Sequence, residues 1–265
     1  MERKINKIKL YHNKKEKSVV VANSLLKELQ KHQFEIVEEG YDLAISIGGD
    51  GTFLKAVGEN HFNDEIYYVG INTGSLGFMQ EIRCEDYLDF IDRLNHNNYE
   101  IENLYLQETQ IITPNKTYNF TSLNEIVIRN KSLKVFEGQI EIDHELLENF
   151  TGDGMLISTP TGSTAYNLSL GGSIIYHSIN ALIMTPIAPL KNKVYKNLSC
   201  SIIIPQYTEI TIYPTKKNIL ITVDGINYEI NDVLKLETKI ANKKIKKLKI
   251  YPSNYIKTIN QKLLS

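Results

Sequence analysis

The stretch "YDLAISIGGDGT", residues 41–52, sets a short apolar, β-branched run against three glycines, an aspartate and a threonine. Leu43 to Ile47 has the length and composition of a buried strand, and it breaks off at Gly48, so the segment reads as a strand running into a loop. Glycine admits backbone conformations and close approaches that a Cβ would forbid, and an aspartate in a turn can bond its own backbone. A tight turn and a ligand-cradling loop both satisfy these twelve residues, so the surrounding sequence has to decide.

Outward from that stretch, strand and helix signals alternate. An apolar segment lies at Ile8 to Tyr11. "SVVVANSLLKELQKH" then brings Val19, Ala22, Leu26 and Leu29 near helical spacing, and "FEIVEE" reads as a short strand. A further apolar run follows at Ile66 to Ile71, and a helix is expected over Tyr87 to Leu94. This order predicts parallel βαβ units with helices packed on the sheet, where ligands sit beyond the carboxyl ends of the strands. Gly48–Thr52 and Asn72–Phe78 both fall at such ends.

From about residue 100 the period changes to two. "QIEID" (139–143), "EITIY" (209–213) and "ILITV" (219–223) alternate, with "PTKKN" and "NDV" as turns. The expected architecture is an α/β N-terminal domain, a parallel sheet with flanking helices, followed by a β-sandwich C-terminal domain. The expected divisions are 1–100, 101–250, and a helical segment, 251–265, returning to the first domain. Asp224-Gly225 reads as the turn of a hairpin between "ILITV" and "INYEI". In "NKKIKKLKIYP" (242–252), Ile245, Leu248 and Ile250 interrupt the basic run, which favours a solvated strand or turn over a phosphate or membrane patch.

Composition narrows the class. A chain of 265 residues suffices for one large or two modest cores, and 42% hydrophobic with 23% charged residues excludes general disorder. A net charge of −1 argues against a broad nucleic-acid surface. The charged start "MERKINKIKLYHNKKEK" lacks the apolar core of a signal peptide, and no apolar run is long enough to span a bilayer. Cys84 and Cys200 fit no ligand spacing and read as reduced thiols. A cytoplasmic protein without a membrane partner is expected.

The second half holds "GDGMLISTPTGSTAYNLSLGG" (152–172), in which small hydroxyl residues and glycines surround one Asp and one Tyr. A loop of that composition can wrap backbone N–H groups and hydroxyls around a polar ligand. Taken with "GGDGT" (48–52), "NTGSLGF" (72–78), "LNEIVI" (123–128) and "MTPIAP" (184–189), it resembles the ordered motif set of the NAD kinases. These belong to the wider diacylglycerol kinase, NAD kinase and phosphofructokinase-like superfamily. GGDGT by itself is shared with diacylglycerol and sphingosine kinases, whereas the Asn-Glu pair and the TPTGSTAYN loop are far more specific.

The resemblance implies transfer of the γ-phosphoryl of ATP, with Mg²⁺ or another divalent cation, to the 2′-hydroxyl of the adenosine ribose of NAD, with NAD in the cleft. On the family pattern Asp50 is the base. Gly48, Gly49, Gly51 and Thr52 form the phosphate loop. Phe78, Asn124, Glu125, Asp153, Thr161, Thr164, Ala165, Tyr166, Ser169 and Ala188 join Asp50 and Gly51 in binding NAD. No protein ligand to the metal is assigned, and a homodimer or homotetramer is implied. Two departures stand out: Thr151 occupies a place where relatives often have Arg, and Ser173 one where they often have Pro. A lipid kinase would need an apolar or basic membrane face, and a P-loop enzyme a GxxxxGK[ST] segment; the sequence shows neither. A non-catalytic NAD(P) sensor is the alternative from another class, against which Asp50 argues.

Overall fold

The structure, a computed structural model, describes residues 4–74, 77–132, 134–192, 196–251 and 255–264, so Ser75 and Leu76 of the second glycine motif, and Ser265, lie outside the described residues. The chain divides into two compact units, one formed by Met1–Leu104 and Lys244–Ser265, the other by Tyr105–Lys243.

In the first unit the elements are β1 (Lys7–His12), α1 (Glu16–Lys31), β2 (Glu35–Ile36), β3 (Leu43–Gly48), α2 (Asp50–Glu59), β4 (Tyr67–Asn72), β5 (Ile82–Arg83) and α3 (Tyr87–Asn95). The strands pair in parallel in the order β2-β1-β3-β4, with β5 also parallel to β4. Every residue of β3 and β4 is buried, as continuous apolar runs in a covered parallel sheet should be. Helix α1 packs Ser18, Ala22, Leu25 and Leu29 inward, so its buried stripe is rotated from the expected Val19-Ala22-Leu26-Leu29 set. The larger difference is α2. The segment after Gly48 is not an extended loop: Gly49 caps a helix that starts at Asp50 and buries Phe53, Ala56 and Val57 at i, i+3 and i+4.

The final strand, β17 (Lys235–Lys249), begins in the second unit and ends in the first, where Lys246 and Lys247 pair in parallel with Tyr67 and Tyr68 of β4. Ile245, Leu248 and Ile250 are buried, as read from their spacing, but Lys247 is buried as well, 2.9 Å from Glu102 and 3.4 Å from Glu81. Burial pulls down the pKa of that ammonium, and the two carboxylates more than reverse the effect, leaving it raised. The expected helix at the end of the chain is α5 (Tyr255–Ile259), continued by a π turn over Asn260–Leu264, and both belong to the first unit.

The second unit holds β6 (Glu100–Ile112, shared with the first unit), β7 (Thr117–Ser122), β8 (Glu125–Asn130), β9 (Phe136–Ile142), β10 (Glu145–Gly152), β11 (Gly154–Ser158), α4 (Tyr166–Ser169), β12 (Ala181–Ile187), β13 (Ile202–Pro205), β14 (Ile210–Pro214), β15 (Ile219–Val223) and β16 (Ile226–Ile230). Six strands form an antiparallel sheet in the order β13-β12-β11-β8-β15-β16, while β10, β9 and β14 pair in a second sheet with the first part of β17. Alternation sorts the faces. Ile126, Ile128, Met155 and Ile157 of the first sheet share a core with Phe136, Ile140, Ile210 and Ile212 of the second, a two-sheet sandwich. The intervening Val127 and Leu156 point the other way, where Tyr166 and Leu170 cover them.

Candidate active site

In the first unit the glycines of residues 48–51 serve different purposes. A Cβ on Gly48 would lie 2.3 Å from Oγ1 of Thr52 and 2.7 Å from Nδ2 of Asn13, so packing alone demands glycine there. A Cβ on Gly49 or Gly51 would meet nothing within 4 Å. No internal contact explains those two, and they leave open space before the first turn of α2, whose leading N–H groups have no partner inside the helix.

Asp50 opens that helix, and its carboxylate is held from outside it. Phe78 N–H donates to Oδ2 at 2.8 Å and Met79 N–H to Oδ1 at 3.0 Å. A Cβ on Gly77 would sit 2.0 Å from Oδ1, so glycine at 77 is what lets that segment close on the carboxylate. Each carboxylate oxygen keeps a lone pair for a further donor. Gln80, fully buried, grips the turn from beneath, its Nε2 donating to Gly49 O at 2.9 Å and to Ser46 Oγ at 3.1 Å.

The second unit builds its part around Leu123, Asn124 and Glu125. Leu123 and Asn124 N–H donate at 2.8 Å, and Glu125 N–H at 3.2 Å, to the carboxylate of Asp224. Asp224 N–H returns a bond to Glu125 O at 3.1 Å. Asn124 O accepts from Thr159 N–H at 2.9 Å and Ser158 Oγ at 3.1 Å, and Thr159 Oγ1 donates to Leu123 O. A Cβ on Gly162 would lie 2.2 Å from Asn124 O, so the Pro-Thr-Gly turn packs directly on that carbonyl. The backbone is thus saturated while the side chains are not: Asn124 Oδ1 and Glu125 Oε2 are buried and lack partners among the described residues. Buried polar atoms are usually partnered by protein, by water or by a bound ligand. Burial first, and the charge of Asp224 second, push the Glu125 carboxyl up to about 8. Burial raises Asp224 too, against its three amide donors.

Beyond the Pro-Thr-Gly turn, Thr161, Thr164, Ala165, Tyr166 and Ser169 follow on a 3₁₀ turn and α4. Asn167, fully buried, fastens this segment: Nδ2 donates to Ser163 O and Ser173 O at 2.9 and 3.0 Å, and Oδ1 accepts from Thr185 Oγ1 at 2.6 Å. Tyr166 is partly core and partly polar, its hydroxyl accepting from Arg129 Nη2 at 2.6 Å. Asp153 and Ala188 lie elsewhere. Both adjoin the start of β11, where Asp153 N–H bonds Ile187 O at 2.9 Å, whereas Asn124 and Glu125 adjoin its end. Five residues of strand separate them by about 17 Å. Ala188 adopts φ +43°, a strained value for a residue with a Cβ.

Asn124 and Glu125 stand at the start of β8, an interior strand, at 6% and 8% exposure. The 152–172 stretch, expected as one ligand-wrapping loop, contributes β11 before it turns. Asp224 forms the expected β15–β16 hairpin, but its clamp on residues a hundred positions away carries no local signal, and Gln80 and Arg129 were likewise silent.

The family model for the ATP-NAD kinase N-terminal domain matches residues 1–99, and that for the ATP-NAD kinase C-terminal domain matches 123–248. The chain is 36% identical over 267 residues to an NAD kinase of Finegoldia magna, covering 97% of each, and 36% identical over 248 residues to one of Streptococcus gordonii, covering 90% of this chain and 88% of the other. It shares the fold of yeast NADH kinase, solved in complex with NADH, at a TM-score of 0.86 and 21% identity over 98% of this chain and 88% of that one. With both domain models matched in order and relatives aligned over nearly its whole length, the chain belongs to the NAD kinase family.

Proposed function

We infer that this protein phosphorylates the 2′-hydroxyl of the adenosine ribose of NAD with ATP, forming NADP and ADP. The observation that carries the reading is the Asp50 turn: a carboxylate fixed by two backbone amides beside two glycines that face open space. The ribose 2′-oxygen attacks the γ-phosphorus and the bond from that phosphorus to the β–γ bridging oxygen breaks. The 2′-hydroxyl proton passes to Asp50, and ADP carries off the bond's electron pair. Such a reaction asks chiefly for positioning and for relief of phosphate charge.

In this reading Gly49 and Gly51 let phosphate oxygens approach the helix N-terminus, while Phe78 borders the same turn. Asn124 Oδ1 and Glu125 Oε2 take hydroxyl donors from the dinucleotide. Thr161, Thr164, Ala165, Tyr166 and Ser169 flank them, and Asp153 and Ala188 serve the nicotinamide end. Mg²⁺ neutralises phosphate charge when bound. No protein ligand to the ion is assigned, and Asp50 is the acidic residue at the turn. The assembly we infer is a homodimer or homotetramer, and the compartment the cytoplasm, consistent with two free cysteines, Cys84 and Cys200.

The test is NADP formation by the purified protein from NAD, ATP and Mg²⁺, read through an NADP-specific dehydrogenase, with Asp50→Asn alongside. Turnover in the wild type, and kcat lowered far more than NAD affinity in the variant, is the expected result. Tight NAD binding by a folded wild-type protein without turnover would replace the kinase with an NAD(P) sensor.

A further inference from the structure

Lys262 lies in the π turn that ends the described chain, within the same unit as the Asp50 turn. Its Nζ stands 5.0 Å from the centre of the Phe78 ring, and Phe78 is the residue whose N–H binds Asp50 Oδ2. Two other lysines of this unit that are drawn from water meet carboxylates, Lys247 with Glu102 at 2.9 Å and Lys9 with Glu38 at 3.3 Å. Among the described residues no carboxylate lies within ion-pair distance of Lys262. A ring face satisfies an ammonium only in part, and a cation withdrawn from water without a counter-ion is unfavourable. Burial accordingly pulls its pKa down to about 8. The negative charges of Asp50 and Glu81 act against that, and Lys247 adds to it.

This cation therefore faces a turn whose aspartate is already bonded to two amides and whose Gly49 and Gly51 admit a ligand to the backbone. The ligand chemistry that suits a lysine with no partner, a helix N-terminus and open glycines is a phosphate oxyanion. We propose that Lys262 is a cationic contact for phosphate groups bound at the Asp50–Gly51 turn. The proposal rests on the phosphoryl-transfer reading above, and it assigns the end of the chain a part in the site rather than in packing alone.

Two substitutions separate charge from bulk: Lys262→Met keeps the stem and removes the ammonium, and Lys262→Arg keeps the charge. Inorganic triphosphate, titrated calorimetrically into the intact wild-type protein, probes the contact without turnover. The expected result is a roughly 10- to 100-fold loss of triphosphate affinity in Lys262→Met, the usual scale for a hydrogen bond to a charged group, with most affinity kept by Lys262→Arg. In the wild type, affinity should also fall as pH rises through 8 to 9, and that extra fall should be missing from Lys262→Met. Because it is measured within each protein, it does not depend on the variant's stability. Affinities that are equal in wild type and Lys262→Met, with the same pH dependence, overturn the proposal. NADP formation then identifies the phosphate: a loss of kcat/KM confined to limiting ATP marks the donor's triphosphate, and one confined to limiting NAD marks the pyrophosphate of NAD. Wild type that binds triphosphate through Lys262 but makes no NADP would refute the kinase reading and leave this contact standing.

Discussion

Glu125 gives the sharpest quantitative test of the second unit. The residue is 8% exposed, its Oε2 has no partner among the described residues, and burial with the charge of Asp224 lifts its carboxyl from an ordinary 4.5 to about 8. In the unfolded chain the same group ionises near its ordinary value. The folded form therefore holds a proton that the unfolded form has lost over the window from about 4.5 to 8. With the folded pKa raised, the stabilising contribution is complete below 4.5 and disappears as pH climbs toward 8. At 1.36 kcal/mol per pH unit the whole window is worth about 5 kcal/mol at most. Asp224 is also raised and its charge acts on Glu125, so the two titrate as a pair and roughly 2 kcal/mol between pH 5 and 8 is expected.

Glu125→Gln keeps the shape and removes the titration. Urea unfolding at pH 5, 6, 7 and 8, followed by hydrogen-exchange mass spectrometry of peptides covering β8 and β11, reads the second unit directly. The wild type should lose stability relative to the variant steadily as pH rises. Parallel pH curves for the two proteins would refute the reasoning, since they would mean that the buried carboxyl ionises alike in both states.

Four further substitutions probe packing, open space and buried charge. Gly77→Ala would place a methyl 2.0 Å from Asp50 Oδ1, and it should lower NADP formation by about 100-fold while the thermal midpoint stays near that of the wild type; an active variant would show that the position of the carboxylate matters little. Gly49→Ala and Gly162→Ala should behave oppositely. The first meets nothing and should keep its stability but lose nucleotide affinity, whereas the second presses on the Asn124 carbonyl and should cost about 1–3 kcal/mol in urea unfolding. Lys247→Met strands Glu81 and Glu102 and should destabilise the first unit by about 3–5 kcal/mol, most of it recovered when both acids become Gln; no recovery would contradict the ion-pair account.

What the sequence made legible was whatever it encodes locally. β3, β4, β9 and β15 follow from composition and period, since each strand's fully or alternately buried pattern is written in its own residues. Helix α2 escaped because its first turn is the glycine motif itself. Asp50 and Gly51 weaken the helical signal where the helix begins, although Phe53, Ala56 and Val57 carry it two turns onward. The inward stripe of α1 came out rotated because Ser18, a polar residue, takes a buried place, its Oγ 2.6 Å from Thr73 Oγ1. The interior position of Glu125 depends on β11 and β15 closing on both sides of β8, and a single strand's pattern does not reveal its neighbours.

The candidate site shows the same division at the level of individual bonds. In each unit an aspartate gathers backbone amides from a distant segment: Asp50 takes those of Phe78 and Met79, and Asp224 those of Leu123, Asn124 and Glu125. The device is one and its uses are two. At Asp50 the amides steady a carboxylate whose oxygens keep a lone pair each, and in the proposed reaction the aspartate is itself the base. At Asp224 the carboxylate is consumed in holding the start of β8, and the groups left free are the side chains of the residues it holds. A motif records the first case, because the proposed base sits inside GGDGT itself. It does not record the second, because the residue that does the holding is a hairpin aspartate with an ordinary turn signature. Asp224→Asn should therefore raise KM for NAD without the large fall in kcat expected of Asp50→Asn, since an amide side chain can accept from only part of the three-donor set. A kcat loss matching that of Asp50→Asn, with NAD affinity intact, would place Asp224 among the reacting groups instead.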